Sequence, residues 1–165
     1  MTGSADKTLK VWDIPSTKGP KKKRAQQTLT AEGVTRAVSR YTAAAHEKDI
    51  NAVAVAPNSR LLATGSQDRT LKIWSSADGS LQGICRGHKR GIWSVAFSPV
   101  DKAVATASGD AAVKIWSVAD YTCLKTFDGH DASVLRVQFV SAGMQLLSSG
   151  ADGLMKLWTI RSDSW

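Results

Sequence analysis

The chain has 165 residues and carries 22 Lys and Arg against 14 Asp and Glu, a formal charge of +8, which favours an acidic or nucleic-acid partner. Its two isolated cysteines, Cys85 and Cys123, form no C-x-x-C pair and no metal-ligand spacing; they exclude a disulfide framework and fit a reducing compartment. No apolar run is long enough to cross a bilayer as a helix.

Taken in order, Met1–Trp12 reads as the end of one strand and all of the next, the middle of a repeated unit and not a signal peptide. Residues 14–37 form a long insertion rich in Pro, Gly, Lys, Gln and Thr. Within it Lys18, Lys21, Lys22, Lys23 and Arg24 supply five cations, with no acid between Asp13 and Glu32 to offset them. Lys21, Lys22, Lys23 and Arg24 are a nuclear-import candidate, because an acidic groove can read such a run in extended form. Val38–Ala44 is predicted as an outer strand. A complete unit follows, with strands at Ile50–Ala56, Leu61–Ser66, Thr70–Trp74 and Leu81–Cys85. The next has strands at Ile92–Phe97, Ala103–Ser108, Ala112–Trp116 and Thr122–Phe127. The last has Val134–Phe139, Gln145–Ser149 and Leu154–Trp158. These units divide the chain at 1–45, 46–87, 88–129 and 130–165. The first lacks its inner strand and the last its outer one, so the ends do not complete each other. That pattern is expected of a piece of a longer protein, self-associating through its open terminal faces when isolated.

Each of the last three units centres on a hairpin. Leu61–Trp74 reads LLATGSQDRTLKIW, Val104–Trp116 reads VATASGDAAVKIW, and Leu146–Trp158 reads LLSSGADGLMKLW. Trp74, Trp116 and Trp158 recur every 42 residues, a period that marks a repeat architecture. His46, His88 and His130 keep the same period. Each is followed after 18 residues by a hydroxyl (Thr64, Thr106, Ser148), after 22 by an aspartate (Asp68, Asp110, Asp152) and after 28 by the tryptophan. An indole only donates a hydrogen bond, a carboxylate only accepts, and hydroxyl and neutral imidazole do both, so the four can form one buried, fully satisfied chain. Histidine, aspartate and hydroxyl also make a hydrolase triad. A catalytic set is needed once, however, and this one occurs three times with Thr in two copies. The reading is a structural lock, with no catalytic residue, no cofactor and no metal.

Gly87-His88, Trp93–Pro99, Thr106–Asp110 and Lys114–Trp116 together resemble the WD repeat of β-propellers. The resemblance implies an all-β fold, a partial propeller of two complete four-stranded blades flanked by two incomplete ones, the His-bearing loop joining successive blades. The sequence departs from the pattern in places: only Trp12-Asp13 is a literal WD pair, and Ala45-His46 stands for the first Gly-His. Finer stretches, His46–Asn51, Leu61–Thr70, Gly87–Val95, Cys123–Phe127, Gly150–Gly153 and Lys156–Thr159, resemble the transducin-beta-like WD-repeat subunits of the U-three small nucleolar ribonucleoprotein, in the UTP-B subcomplex of the small-subunit processome. This family likeness runs from about Ala45 to Ile160. It implies a non-catalytic scaffold of the nucleus and nucleolus, acting in pre-rRNA processing and small ribosomal subunit biogenesis. Its partners would be other protein subunits of a large complex, with pre-rRNA or small nucleolar RNA contacted indirectly, and neither a membrane nor a small-molecule substrate. The same fold would serve a ubiquitin-ligase substrate receptor or a G-protein-β-like signalling scaffold.

By the same resemblance, partner-facing positions lie three and five residues after each His and just before each turn Asp. They are Asp49, Asn51 and Gln67; Gly91, Trp93 and Gly109; and Ser133, Leu135 and Ala151. Trp93 and Leu135 are large apolar groups that the core does not require, and Lys89-Arg90 falls on the same face.

Overall fold

Apolar and polar residues alternate with period two through Thr70–Ser75 and Ala112–Ser117, and both segments become central strands with one deeply buried face. The architecture comes from a computed structural model, which describes residues 2–13 and 38–160. The import candidate Lys21–Arg24 lies outside the described residues. Strands β1 (Thr2–Gly3), β2 (Thr8–Asp13) and β3 (Val38–Ala44) form a three-stranded sheet in that order. Strands β4 (Ile50–Val55), β5 (Leu61–Ser66), β6 (Thr70–Ser75) and β7 (Leu81–Arg86) form a four-stranded meander. A second meander contains β8 (Ile92–Phe97), β9 (Ala103–Ser108), β10 (Ala112–Ser117) and β11 (Cys123–Asp128). The last sheet is β12 (Val134–Val140), β13 (Gln145–Gly150) and β14 (Met155–Thr159), with a short 3-10 turn at Ser141–Gly143. All pairings are antiparallel. The fold is therefore all-β: a run of propeller blades, two of them four-stranded and two three-stranded among the described residues.

Several strands end one residue away from the sequence-based expectation, and two start one residue late, both for the same reason. Thr122 falls before β11 because its N–H and hydroxyl both bond Asp120 Oδ1, which holds it in a turn. Leu154 falls before β14 because its N–H bonds Asp152 Oδ1.

The core lies in the seams between sheets. Leu9, Ala45, Ile50, Leu62 and Trp74 fill the first seam. Leu71, Ile73, Cys85, Ile92, Val104 and Trp116 fill the second, and Val113, Ile115, Val134, Val137 and Leu146 the third. In each seam the second strand of one sheet meets the inner strand of the next at very close range. A Cβ on Gly3 would stand 2.6 Å from Ile50 Cγ2, and one on Gly65 would stand 2.6 Å from Ile92 Cγ2. These positions have room only for glycine. Ala107 and Val134, the equivalent pair 42 residues on, belong to the third cluster and are fully buried. At the far side, β14 leaves Met155 and Leu157 exposed.

Each inner strand carries a bulge at its second residue. The pairing of β4 with β5 steps from Ile50 to Ala52, that of β8 with β9 from Ile92 to Ser94, and that of β12 with β13 from Val134 to Arg136. Asn51, Trp93 and Leu135 are the extra residues, and a bulge re-aims the side chain it leaves unpaired.

Candidate functional site

The polar residues singled out by spacing come together three times with the same geometry. In the β4–β7 sheet, Trp74 Nε1–H donates to Thr64 Oγ1 at 2.9 Å. Thr64 Oγ1 lies 2.7 Å from His46 Nε2, and His46 Nδ1 lies 2.8 Å from Asp68 Oδ2. The β8–β11 sheet repeats this with Trp116 to Thr106 at 2.8 Å, Thr106 to His88 at 2.7 Å and His88 to Asp110 at 2.9 Å. In the last sheet Trp158, Ser148, His130 and Asp152 are linked at 2.8 Å throughout. The first sheet keeps one link, Trp12 Nε1–H to Thr2 Oγ1 at 3.1 Å.

The direction of each chain is fixed by its ends. Indole can only donate and carboxylate can only accept, so Trp74 donates to Thr64, Thr64 to His46 Nε2, and His46 Nδ1–H to Asp68. That arrangement needs a neutral imidazole and an ionised carboxylate. Burial pushes the His46 pKa down, outweighing the upward pull of Asp68. Burial by itself would raise the Asp68 carboxyl, but hydrogen bonds from Thr70 and His46 outweigh it and hold the pKa down to about 2. Asp152 is also held down to about 2, its bonds from the Leu154 N–H, His130 and the Asp131 N–H overcoming the effect of desolvation. Asp110 is lowered in the same way by His88 and the Lys89 N–H, against its burial.

Each aspartate also accepts from the backbone. The N–H after each histidine, on Glu47, Lys89 and Asp131, bonds the same Oδ2 at 3.2, 2.8 and 3.1 Å. The other oxygen, Oδ1, caps the turn through Thr70, Ala112 and Leu154. Among the described residues no buried side-chain N or O lacks a hydrogen-bond partner. Thr64, Thr106 and Ser148 are buried, each held between an indole N–H and an imidazole, so no hydroxyl of the set faces open space as a nucleophile would.

Two sets of supporting contacts escaped the sequence reading. Lys72 Nζ donates to the Ala45 carbonyl at 2.6 Å, and Lys156 Nζ reaches the Gly129 carbonyl, each tying a third strand to the loop before a histidine. Lys114, at the same repeat position, bonds Thr126 Oγ1 instead. Ser66 and Ser108 donate to the loop carbonyls of Lys48 and Arg90. Their signal was the same period of 42 residues, carried by residue types common on any solvated strand. The Ala45-His46 departure also has a physical reason. Gly87 holds a φ of +146°, whereas Ala45 keeps a negative φ and needs no glycine.

The partner-face positions divide into two groups. Asn51 Nδ2 donates to the Ile92 carbonyl at 2.8 Å and so bridges to the next sheet. Gln67 packs on Gly91, where a Cβ would stand 2.4 Å from its Oε1. Ser133 Oγ bonds the Gly109 carbonyl at 3.5 Å. Asp49 and Ala151, by contrast, are exposed, and Trp93 and Leu135 remain 40% and 47% accessible on their bulges. Lys89 and Arg90 are exposed beside Trp93.

Comparison with known proteins gives a consistent picture. The family described as "WD domain, G-beta repeat" matches residues 1–13, 38–75, 79–117 and 121–159. The chain is 52% identical over 87 residues to transducin beta-like protein 3 of Homo sapiens, covering 53% of this chain and 10% of that protein. The protein of that name from Bos taurus is 52% identical over 90 residues, with the same coverage. U3 small nucleolar RNA-associated protein 13 of Saccharomyces cerevisiae is 44% identical over 82 residues, covering 50% of this chain and 9% of that protein. The matched region thus spans about a tenth of the length of these relatives.

Proposed function

The chain belongs to the WD-repeat family, and on that premise we propose that it is a non-catalytic scaffold of the small-subunit processome, acting in the nucleolus in pre-rRNA processing. The four sheets are read as successive blades of one propeller at 1–45, 46–87, 88–129 and 130–165, with the basic insertion carried by the first. His46, Thr64, Asp68 and Trp74, with their counterparts in the next two blades, are assigned to the lock. Asp49, Asn51, Gln67, Trp93 and Leu135 are assigned to the face on which partners dock. The observation that carries the non-catalytic reading is the threefold recurrence of one buried hydrogen-bonded set in which each polar atom has a partner. What supports the nucleolar reading is the similarity to transducin beta-like protein 3 and to U3 small nucleolar RNA-associated protein 13.

The test is purification of the tagged protein from nuclear extract, with probing for U3 RNA and mass spectrometry of the bound proteins. Recovery of U3 RNA together with a stable set of processome subunits is expected. Recovery of ubiquitin-ligase or G-protein components without U3 RNA would assign the chain to a different assembly.

A further inference from the structure

We propose that the cleft beside Trp93 is a direct binding site for single-stranded RNA, in which the indole stacks on a base while the surrounding cations hold the flanking phosphates. The starting point is the contrast between Trp93 and the other tryptophans among the described residues. Trp12, Trp74, Trp116 and Trp158 each donate their indole N–H to a hydroxyl. Trp93 has no such acceptor among the described residues, and 40% of its surface is open. A buried tryptophan usually finds a partner for its N–H; one held at the surface with a free N–H is built for contact.

Its position follows from the fold. The bulge between Ile92 and Ser94 takes Trp93 out of the ladder and turns it onto the face that bears the histidine loops. Gly109 then lets it converge with a cation. A Cβ on Gly109 would stand 3.2 Å from Trp93 Nε1 and 3.3 Å from Arg90 Cβ, so ring and arginine stem lie over the same bare turn. Lys48, Arg69, Arg90, Trp93, Gly109 and Ser133 line a cleft of about 510 Å³ at this point, spanning the seam between the second and third sheets. No carboxylate lines it among the described residues. Trp93 also borders a second groove of about 470 Å³ that runs along the inner strands, where Arg136 adds a fourth cation. Trp93 therefore borders both grooves, with Lys48, Arg69 and Arg90 on one side and Arg136 on the other.

That alternation selects the ligand class. A single-stranded nucleic acid carries one flat ring and one negative charge in every unit, matching an exposed indole between cations. An acidic peptide would satisfy the cations but supplies no regular flat group for Trp93. The site reads no sequence by itself, since every base has a face that can stack. It does not require membership of the processome.

Fluorescence anisotropy of the whole chain with a fluorescein-labelled dodecauridylate tests the site, with a glutamate-rich peptide of equal charge as competitor. Binding that weakens as salt rises is expected. Trp93→Ala should weaken it by about 5- to 150-fold, the loss of one stacked base, while Trp93→Phe retains most of the affinity. Replacing both Arg69 and Arg90 by Gln should flatten the logarithmic salt dependence by about 1.4, two phosphate contacts on a single strand. Loss of binding in both the Trp93 variant and the arginine pair is the result that assigns the site to this cleft. Thermal melting of each variant checks folding, and the exposed arginine pair keeps the test decisive if Trp93→Ala unfolds. The proposal fails if the arginine pair leaves affinity and salt slope unchanged, if folded Trp93 variants bind like the parent, or if the acidic peptide binds where the oligonucleotide does not.

Discussion

At the scale of single residues, the protonation states inside each lock oppose any drop in pH. His46 is held below its ordinary value of 6.5 by burial, so an unfolded chain takes up that proton while the folded one still refuses it. Stability from this group is present above about pH 6.5 and falls as the solution is acidified. Asp68 and Asp152 titrate near 2 when folded, against an ordinary value of 3.8. Their contribution is present above 3.8 and is lost as pH falls toward about 2. The melting temperature should therefore drop in two stages below pH 6.5, as followed by circular dichroism between pH 8 and pH 2. Asp68→Asn, which keeps the shape but cannot ionise, should shrink the lower stage. A melting temperature that rises on acidification would contradict the assigned direction of the hydrogen bonds.

At the scale of elements, the seams decide how tightly one sheet sits on the next. Gly65→Ala places a methyl 2.6 Å from Ile92 Cγ2 and 2.7 Å from Val95 Cγ2, both on β-branched side chains with little rotamer freedom. The expected cost is about 1–3 kcal/mol in denaturant unfolding. Ile92→Ala alone should cost about 2–5 kcal/mol through the cavity it leaves. The double variant should cost less than the sum, because Ile92→Ala removes the Cγ2 that the new methyl on residue 65 would strike. Additive losses would show that the two residues do not share the seam. The strands themselves were legible in the sequence, since Leu71 and Ile73 alternate with Lys72 and their face is buried. Histidine, hydroxyl, aspartate and tryptophan were legible as a group because a fixed period ties distant positions together. The bulges at Asn51, Trp93 and Leu135 were not, because a bulge changes pairing and leaves composition untouched. Nor were the left-handed turns after each aspartate, where Lys7, Arg69 and Ala111 adopt φ of 65°, 70° and 67° without the glycine that would announce them. Only Gly153 carries that signal, at a φ of 77°.

At the scale of the whole molecule, charge and fold carry separate messages. The five cations between Lys18 and Arg24 lie in an insertion that the blades do not need. If they are an import address, replacing Lys21, Lys22 and Lys23 by Ala should move a fluorescently tagged protein from nucleus to cytoplasm. Unchanged nucleolar accumulation would remove this run from the import account. The seams carry the other message. Glycine faces isoleucine across the first two, at Gly3 with Ile50 and Gly65 with Ile92, while the larger alanine of the third is matched by the smaller valine at Val134. Volume lost on one side is returned on the other, so the four units are similar but not interchangeable. Joining the third sheet to the inner strand of the second would press Ala107 against isoleucine; skipping the third sheet would leave Gly65 facing valine across a gap. Duplicating or deleting the third repeat would therefore demand repair of the one new seam it creates, whereas the second could be copied or lost with glycine still facing isoleucine, so the order of the later blades is written in the sizes of their edges.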